Sequence, residues 1–229
     1  MTSSTRVWDL PTRIFHWALA ASFTGAYVLS ESERLRNVHV ALGYTVLGLL
    51  AFRLVWGFIG PRYTRFSSFV HSPVAAMRYL RDELRGRAPR YLGHNPAGSW
   101  AVFGLLILGV ATGVTGYLNL NELGGDSMED LHAAFASAWL VLVILHVMGV
   151  VFSSIMQREN LVRSMVTGLK RGTVEGAEPR PARGLGLALA AAVLGFWGWT
   201  ITAGGLAPGA GPAPGEQSEL ATGEETDDD

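Results

Sequence analysis

Five stretches of this chain are apolar, and long enough or nearly so, to cross a hydrocarbon layer that takes about 20 residues of helix. They cover residues 14–29, 38–59, 100–120, 131–155 and 185–206. Hydrocarbon offers no water to bond a bare N–H or C=O, so a spanning segment must satisfy its backbone within itself, as a helix does. The chain is therefore expected to be all-α, an integral membrane helical bundle. Composition agrees, with 49% hydrophobic and only 16% charged residues among 229, too apolar for an ordinary soluble domain.

Charge orients the bundle, because Lys and Arg in short loops mark the cytoplasmic side. The net charge is only -1 and gives no sign of a nucleic-acid partner, so position along the chain carries the information. Arg62, Arg65, Arg78, Arg81, Arg85, Arg87 and Arg90 fall between the second and third spans. Arg158, Arg163, Lys170, Arg171, Arg180 and Arg183 fall between the fourth and fifth. The loop between the third and fourth spans instead carries Glu122, Asp126, Glu129 and Asp130. This places the N-terminus and the two basic connections inside and the C-terminus outside. Residues 1–13 lack the basic start and short apolar core of a signal peptide, so the first span is expected to remain in the mature protein. Residues 207–229, rich in Pro, Gly and acidic side chains, are expected to form a disordered external tail.

Two smaller signals lie in the first basic connection. Ser72 and Pro73 read as an N-cap and first helical residue, opening an amphipathic segment to Leu84 that lies along the inner membrane surface. The run Gly93-His94-Asn95-Pro96-Ala97-Gly98 reads as a turn into the third span, needing no chemistry to explain it. His71 and His94 are accordingly taken as loop residues, contact with a quinone or with an acidic cofactor group being the lesser alternative.

Four other histidines, His16, His39, His132 and His146, sit within apolar spans, where a polar side chain marks a functional site. His132 and His146 are 14 residues apart on one helix. At about 100° and 1.5 Å per residue their imidazoles face within roughly 40° of each other and stand roughly 21 Å apart along the axis. One helix thus serves two sites, one in each leaflet. Topology supplies each with a partner at matching depth: His16, near the inner start of the first span, for His146, and His39, near the outer start of the second, for His132. Arg53 lies 14 residues beyond His39, on nearly the same helical face but at the inner site. There it can neutralise an acidic cofactor group or snorkel to the interface.

Two imidazoles on opposing helices at one depth suit the axial positions of an iron porphyrin lying edge-on between them. The chain has no cysteine, which removes disulfides, thiolate catalysis, cysteine-ligated iron-sulfur clusters and the covalent attachment of c-type haem. The haem would then be held non-covalently, two haem b in all. Two axial imidazoles fill the iron's coordination and suit it to electron transfer rather than oxygen activation. Three rivals are weighed. Hydrogen bonding across helices explains one histidine better than two depth-matched pairs. Zinc wants three or four ligands per site, and each leaflet offers two histidines. A histidine-dependent transporter relaying protons along a substrate path needs neither pigment nor pairing. Gly104, Gly109, Gly113 and Gly116 recur along the third span and permit close approach of a neighbouring helix or a flat macrocycle, the helix being favoured.

The stretch from Val7 to Trp17, V-W-D-L-P-T-R-I-F-H-W, together with His39-Val40-Ala41-Leu42-Gly43-Tyr44, Phe52-Arg53-Leu54-Val55-Trp56-Gly57, the Gly93 to Gly98 run and the spacing of His132 and His146, resembles the bacterial di-haem cytochrome b561 family. That family includes the b-type cytochrome subunits of membrane-bound nickel-iron hydrogenases. The resemblance covers about residues 6–171. It implies that His16, His39, His132 and His146 ligate two haems b, and that the protein exchanges electrons in the bacterial inner membrane between a quinone pool and a partner. Members of such families take electrons from hydrogenases, deliver them to c-type cytochromes, or oxidise superoxide. A third reading makes the chain chiefly the membrane anchor of a hydrogenase-type complex. The expected organisation is a four-helix di-haem core over 1–171, a linker and fifth transmembrane helix over 172–206, and the tail over 207–229.

Overall fold

The computed structural model describes residues 4–125, 127–172 and 182–203. In chain order they form strand β1 (Ser4–Arg6), helices α1 (Leu10–Val28), α2 (Arg36–Ile59), α3 (Pro73–Leu84), α4 (Pro96–Leu120), α5 (Ser127–Met156) and α6 (Leu161–Thr167), strand β2 (Leu169–Arg171) and helix α7 (Arg183–Thr202). Helix starts follow the local chemistry of the sequence. Asp9, Ser72, Asn95 and Asn160 each accept a hydrogen bond from the backbone N–H three residues on, satisfying a donor that has no intrahelical partner. Proline stands in the first turn of α1, α3 and α4, where its missing N–H costs nothing. Gly168, at φ +82°, ends α6 in the left-handed conformation that glycine adopts without strain.

The fold is an all-α membrane bundle. Among the described residues four helical stretches are long and apolar enough to cross a membrane: Glu33–Ile59, α4, α5 and α7. The first of the five anticipated spans, α1, has 19 residues but falls short in apolar character. Thr12, Arg13, His16, Ser22 and Thr24 occupy positions along it, and its place in the bundle comes from packing on α2. Helix α5 shows the opposite character. It buries only Trp139 and Ser153 and leaves Val141, Ile144, Leu145, Met148, Val151 and Ile155 exposed. Such a surface is stable only against lipid.

Helices α1 and α2 form one hairpin and α4 and α5 another; α2 joins the two by packing on α4, while α7 lies on α1 and touches α2. Phe15, Phe23, Val46, Leu49, Leu50, Leu106 and Trp139 form the buried core, with the Phe23 and Trp139 rings 4.3 Å apart. Lipid tails are as apolar as these side chains, so close packing holds such helices together more than the hydrophobic effect. Glycine at 109 makes that packing possible, since a Cβ there would stand 2.8 Å from the Trp139 ring and 3.1 Å from Leu50. Helix packing thus accounts for most of the glycine stripe on α4. Trp197 of α7 donates its indole N–H to the Thr45 hydroxyl on α2 (3.2 Å), so α7 is tied to the bundle by a polar contact as well.

At the end that carries the arginine-rich connections, α3 turns Ala76, Tyr79 and Glu83 inward and leaves Val74, Met77, Leu80 and Leu84 exposed. This inverted amphipathy fits a helix lying in a lipid interface. Asn95 and Gln157 both donate side-chain N–H groups to the Tyr79 hydroxyl (3.1 and 2.9 Å), so α3 is tied to the start of α4 and the end of α5. The sequence reading contains no strands, yet β1 pairs antiparallel with β2, Thr5 opposite Lys170. Strands of three residues leave no periodicity to detect. The pair fastens the N-terminus to the segment after α6. Most of the 172–206 linker region before α7, and the 207–229 tail, lie outside the described residues.

Candidate functional site

Helix α2 carries His39 in its first turn and α5 carries His132 in its second, and α4 brings the Thr112 carbonyl to His132. The two imidazole rings meet edge-on, with centroids 6.2 Å apart and planes at 85°. Each ring is oriented by a backbone carbonyl: His39 Nδ1–H donates to Ala26 (2.8 Å) and His132 Nδ1–H to Thr112 (2.9 Å). Ala26 lies in the last turn of α1, where carbonyls have no intrahelical partner, so the first bond satisfies both groups. A carbonyl only accepts, so each neutral ring holds its proton on Nδ1 and keeps the Nε2 lone pair free. That is the arrangement of metal-bound histidines. An imidazole nitrogen sits about 2 Å from a bound metal; with a ring radius added on each side, two imidazoles flanking one ion have centroids roughly 6 Å apart. The donor set and spacing fit an ion between them. Gly116 completes this wall, since a Cβ there would approach His132 Cε1 to 2.8 Å.

At the other end, His16 on α1 and His146 on α5 are close enough to interact electrostatically. His16 packs edge-on against Trp17 (5.0 Å, 86°), and its Nδ1 is buried without a hydrogen-bond partner. Of the four histidines that the sequence singles out, the structure brings His39 and His132 together as a ring pair, while His146 acts electrostatically on both His16 and His94.

Arg53 is not at an interface but inside, 3% exposed. Its Nη2 donates to the Thr64 carbonyl (3.1 Å) and its guanidinium lies 4.8 Å over the Phe66 ring, while Nη1 has no partner. Asp9 is nearby, but its oxygens are committed to the Thr12 N–H (3.0 Å) and to the Trp56 indole N–H (2.9 Å). Among the described residues no carboxylate ion-pairs with Arg53. Burying a cation is costly unless it is paired; Asp9 offsets part of that cost through space but leaves Nη1 without a partner. The surroundings therefore call for an anionic group from elsewhere.

The loop histidines divide. His71 is satisfied, its Nδ1 lying 2.9 Å from the Phe69 carbonyl and 3.1 Å from the Ser99 hydroxyl. His94 is held between Trp8 (4.9 Å) and Phe69 (4.3 Å), and its Nδ1 is shut away from solvent without a partner. Burial pushes its pKa well below the ordinary histidine value. From sequence this residue reads as part of a loop, because a turn before a helix explains it, with contact to a quinone or a propionate as the lesser alternative. The available signal is its neighbour, since a residue directly before a capping Asn-Pro has a fixed position rather than a mobile one.

The family model described as prokaryotic cytochrome b561 matches residues 7–168. Among curated proteins, the chain is 30% identical over 209 residues to the probable Ni/Fe-hydrogenase B-type cytochrome subunit of Azotobacter vinelandii, covering 71% of this chain and 86% of that one. It is 26% identical to the corresponding subunit of Rhizobium leguminosarum bv. viciae (72% and 88%). It is also 26% identical to the probable Ni/Fe-hydrogenase 1 B-type cytochrome subunit of Escherichia coli K12 (72% and 89%). No solved structure matches the chain.

Proposed function

The chain belongs to the prokaryotic cytochrome b561 family, a membrane protein of haem-b electron transfer, and on that premise we propose that it carries two haems b, each held between a pair of histidines. His39 and His132 would hold one and His16 and His146 the other, with Arg53 as counter-charge for an acidic group of the second. Haem b, when bound, supplies a one-electron couple and no proton chemistry of its own. The residues of the chain do the rest. Nδ1–H bonds to Ala26 and Thr112 orient the His39 and His132 rings and leave their Nε2 lone pairs free.

The observation that carries this reading is the His39–His132 pair, both rings held by backbone carbonyls at a spacing suited to one ion. The arginines around α3 support a cytoplasmic position for the His16–His146 end, in a bacterial inner membrane. A quinone is the proposed exchange partner within the bilayer. The relatives' names support a hydrogenase-type protein as the surface partner, with the chain as its membrane anchor; a c-type cytochrome is the alternative acceptor. Purified protein should give sharp low-spin b-haem bands on dithionite reduction and two haems per chain by pyridine haemochrome. A colourless preparation would favour a proton-relaying transporter and remove the proposal.

A further inference from the structure

We propose that His94 is a second cofactor-binding residue, which with Arg53 holds a carboxylate of the haem at the His16–His146 site. The inference rests on the two-haem reading and deepens it.

Besides Arg13 Nε and His16 Nδ1, two buried nitrogens at this end lack partners, Arg53 Nη1 and His94 Nδ1. Arg53 is buried as a cation with no ion pair, and its ring contact Phe66 packs on Phe69 (5.9 Å), the residue against which His94 stacks. The two orphaned nitrogens thus belong to one aromatic-lined cluster. The groups that act on His94 electrostatically are Arg53, Lys170, His146 and His71, positive or titratable to positive, with no carboxylate among them. Lys170 is itself buried, donating to the Tyr91 carbonyl (2.8 Å). An imidazole among cations stays neutral and offers one donor and one acceptor. A carboxylate is the group that satisfies both: it accepts from a neutral imidazole N–H, and it pairs with a guanidinium through a charge-assisted bond. Influence from His146, a proposed ligand, sets His94 at the rim of the same site rather than elsewhere.

The position of His94 is also built rather than incidental. Asn95 caps α4 through its side-chain oxygen, bonded by Gly98 N–H, while its amide N–H donates to Tyr79, and Pro96 sets the backbone of the first turn. Trp8 and Phe69 flank the ring, so it cannot swing to solvent without losing both contacts.

The test is a spectroelectrochemical titration of the detergent-purified holoprotein. The His94 site is assigned to whichever redox component disappears in His146→Ala. In His94→Phe, which preserves the aromatic stack, both haems should remain, and the midpoint potential of that component alone should shift negative. Loss of a donor leaves the carboxylate charge less compensated, which favours ferric iron. His94→Asn, which keeps an N–H donor, should recover part of the shift. Unchanged potentials in His94→Phe with both haems present would overturn the assignment, as would equal shifts in the Phe and Asn variants. An unchanged potential with slowed quinol oxidation would overturn it in favour of a quinone contact. Absence of haem from the wild type would instead overturn the two-haem reading beneath it.

Discussion

His39 and His132 come from helices separated in the chain by α3 and α4, yet their rings meet at 6.2 Å and nearly perpendicular. Both spend Nδ1 on a helix carbonyl, Ala26 and Thr112. Both rings are thus oriented by the fold itself with Nε2 unprotonated, so little ordering remains to be done on binding.

Pairing has a direct consequence for composition. His39→Ala and His132→Ala should each halve the haem content and remove the same redox component, and His16→Ala and His146→Ala should remove the other. Pyridine haemochrome assay with redox titration on the four variants checks this. Loss of different components by His16→Ala and His146→Ala would break the proposed couples.

Gly116 tests the wall behind His132. Gly116→Val should cost about 1–3 kcal/mol through overpacking, because its Cβ would enter the His132 ring. Haem at the His39–His132 site should be lost while the other is retained. Retention of both haems at wild-type stability would show that His132 moves freely, contrary to its bond to Thr112.

Arg53 carries a prediction of opposite sign in two states. Removal of a buried charge that makes no ion pair should leave haem-free Arg53→Met at least as stable as haem-free wild type. The haem-loaded variant should melt lower than loaded wild type and release the haem at the His16–His146 end more readily. Thermal unfolding with and without haem measures both. A less stable haem-free variant would mean that the Thr64 and Phe66 contacts of Arg53 already outweigh its desolvation.

Tyr79 joins α3 to the bundle. Tyr79→Phe leaves the amide donors of Asn95 and Gln157 without this acceptor and should cost about 1–3 kcal/mol. Burial, then the hydrogen bond and charge of Glu83, push the Tyr79 phenol above its ordinary pKa. With the folded value above the unfolded one, its contribution is complete below about pH 10 and is lost as pH rises through the folded value. Unfolding followed against pH should show that alkaline loss in wild type and not in Tyr79→Phe. Equal alkaline slopes would refute it.

Much of the frame is legible locally. The Ser72 and Asn95 caps, the prolines after them and the apolar lengths of α2, α4, α5 and α7 are properties of neighbouring residues, as is the single face shared by His132 and His146. Helix α1 is less legible because its polar residues are sheltered by α2 and α7 rather than by its own composition. The β1–β2 pair and the Asp9–Trp56 bond join residues far apart in the chain, and no periodicity announces them. His94 shows the same limit, since a turn motif describes its backbone and is silent on the rings around it.

The sequence by itself determined that this chain spans a membrane as helices and that one helix offers imidazoles at two depths. Apolar length and a repeat of 3.6 residues are fixed by covalent order. Packing between helices, in contrast, brings the His39 and His132 rings within 6.2 Å with each Nδ1 bonded to a carbonyl, and leaves Arg53 and His94 with unpartnered nitrogens at the other end. Those depend on which carbonyls, rings and charges neighbouring helices bring alongside, and hydrogen bonding and desolvation act through space rather than along the chain.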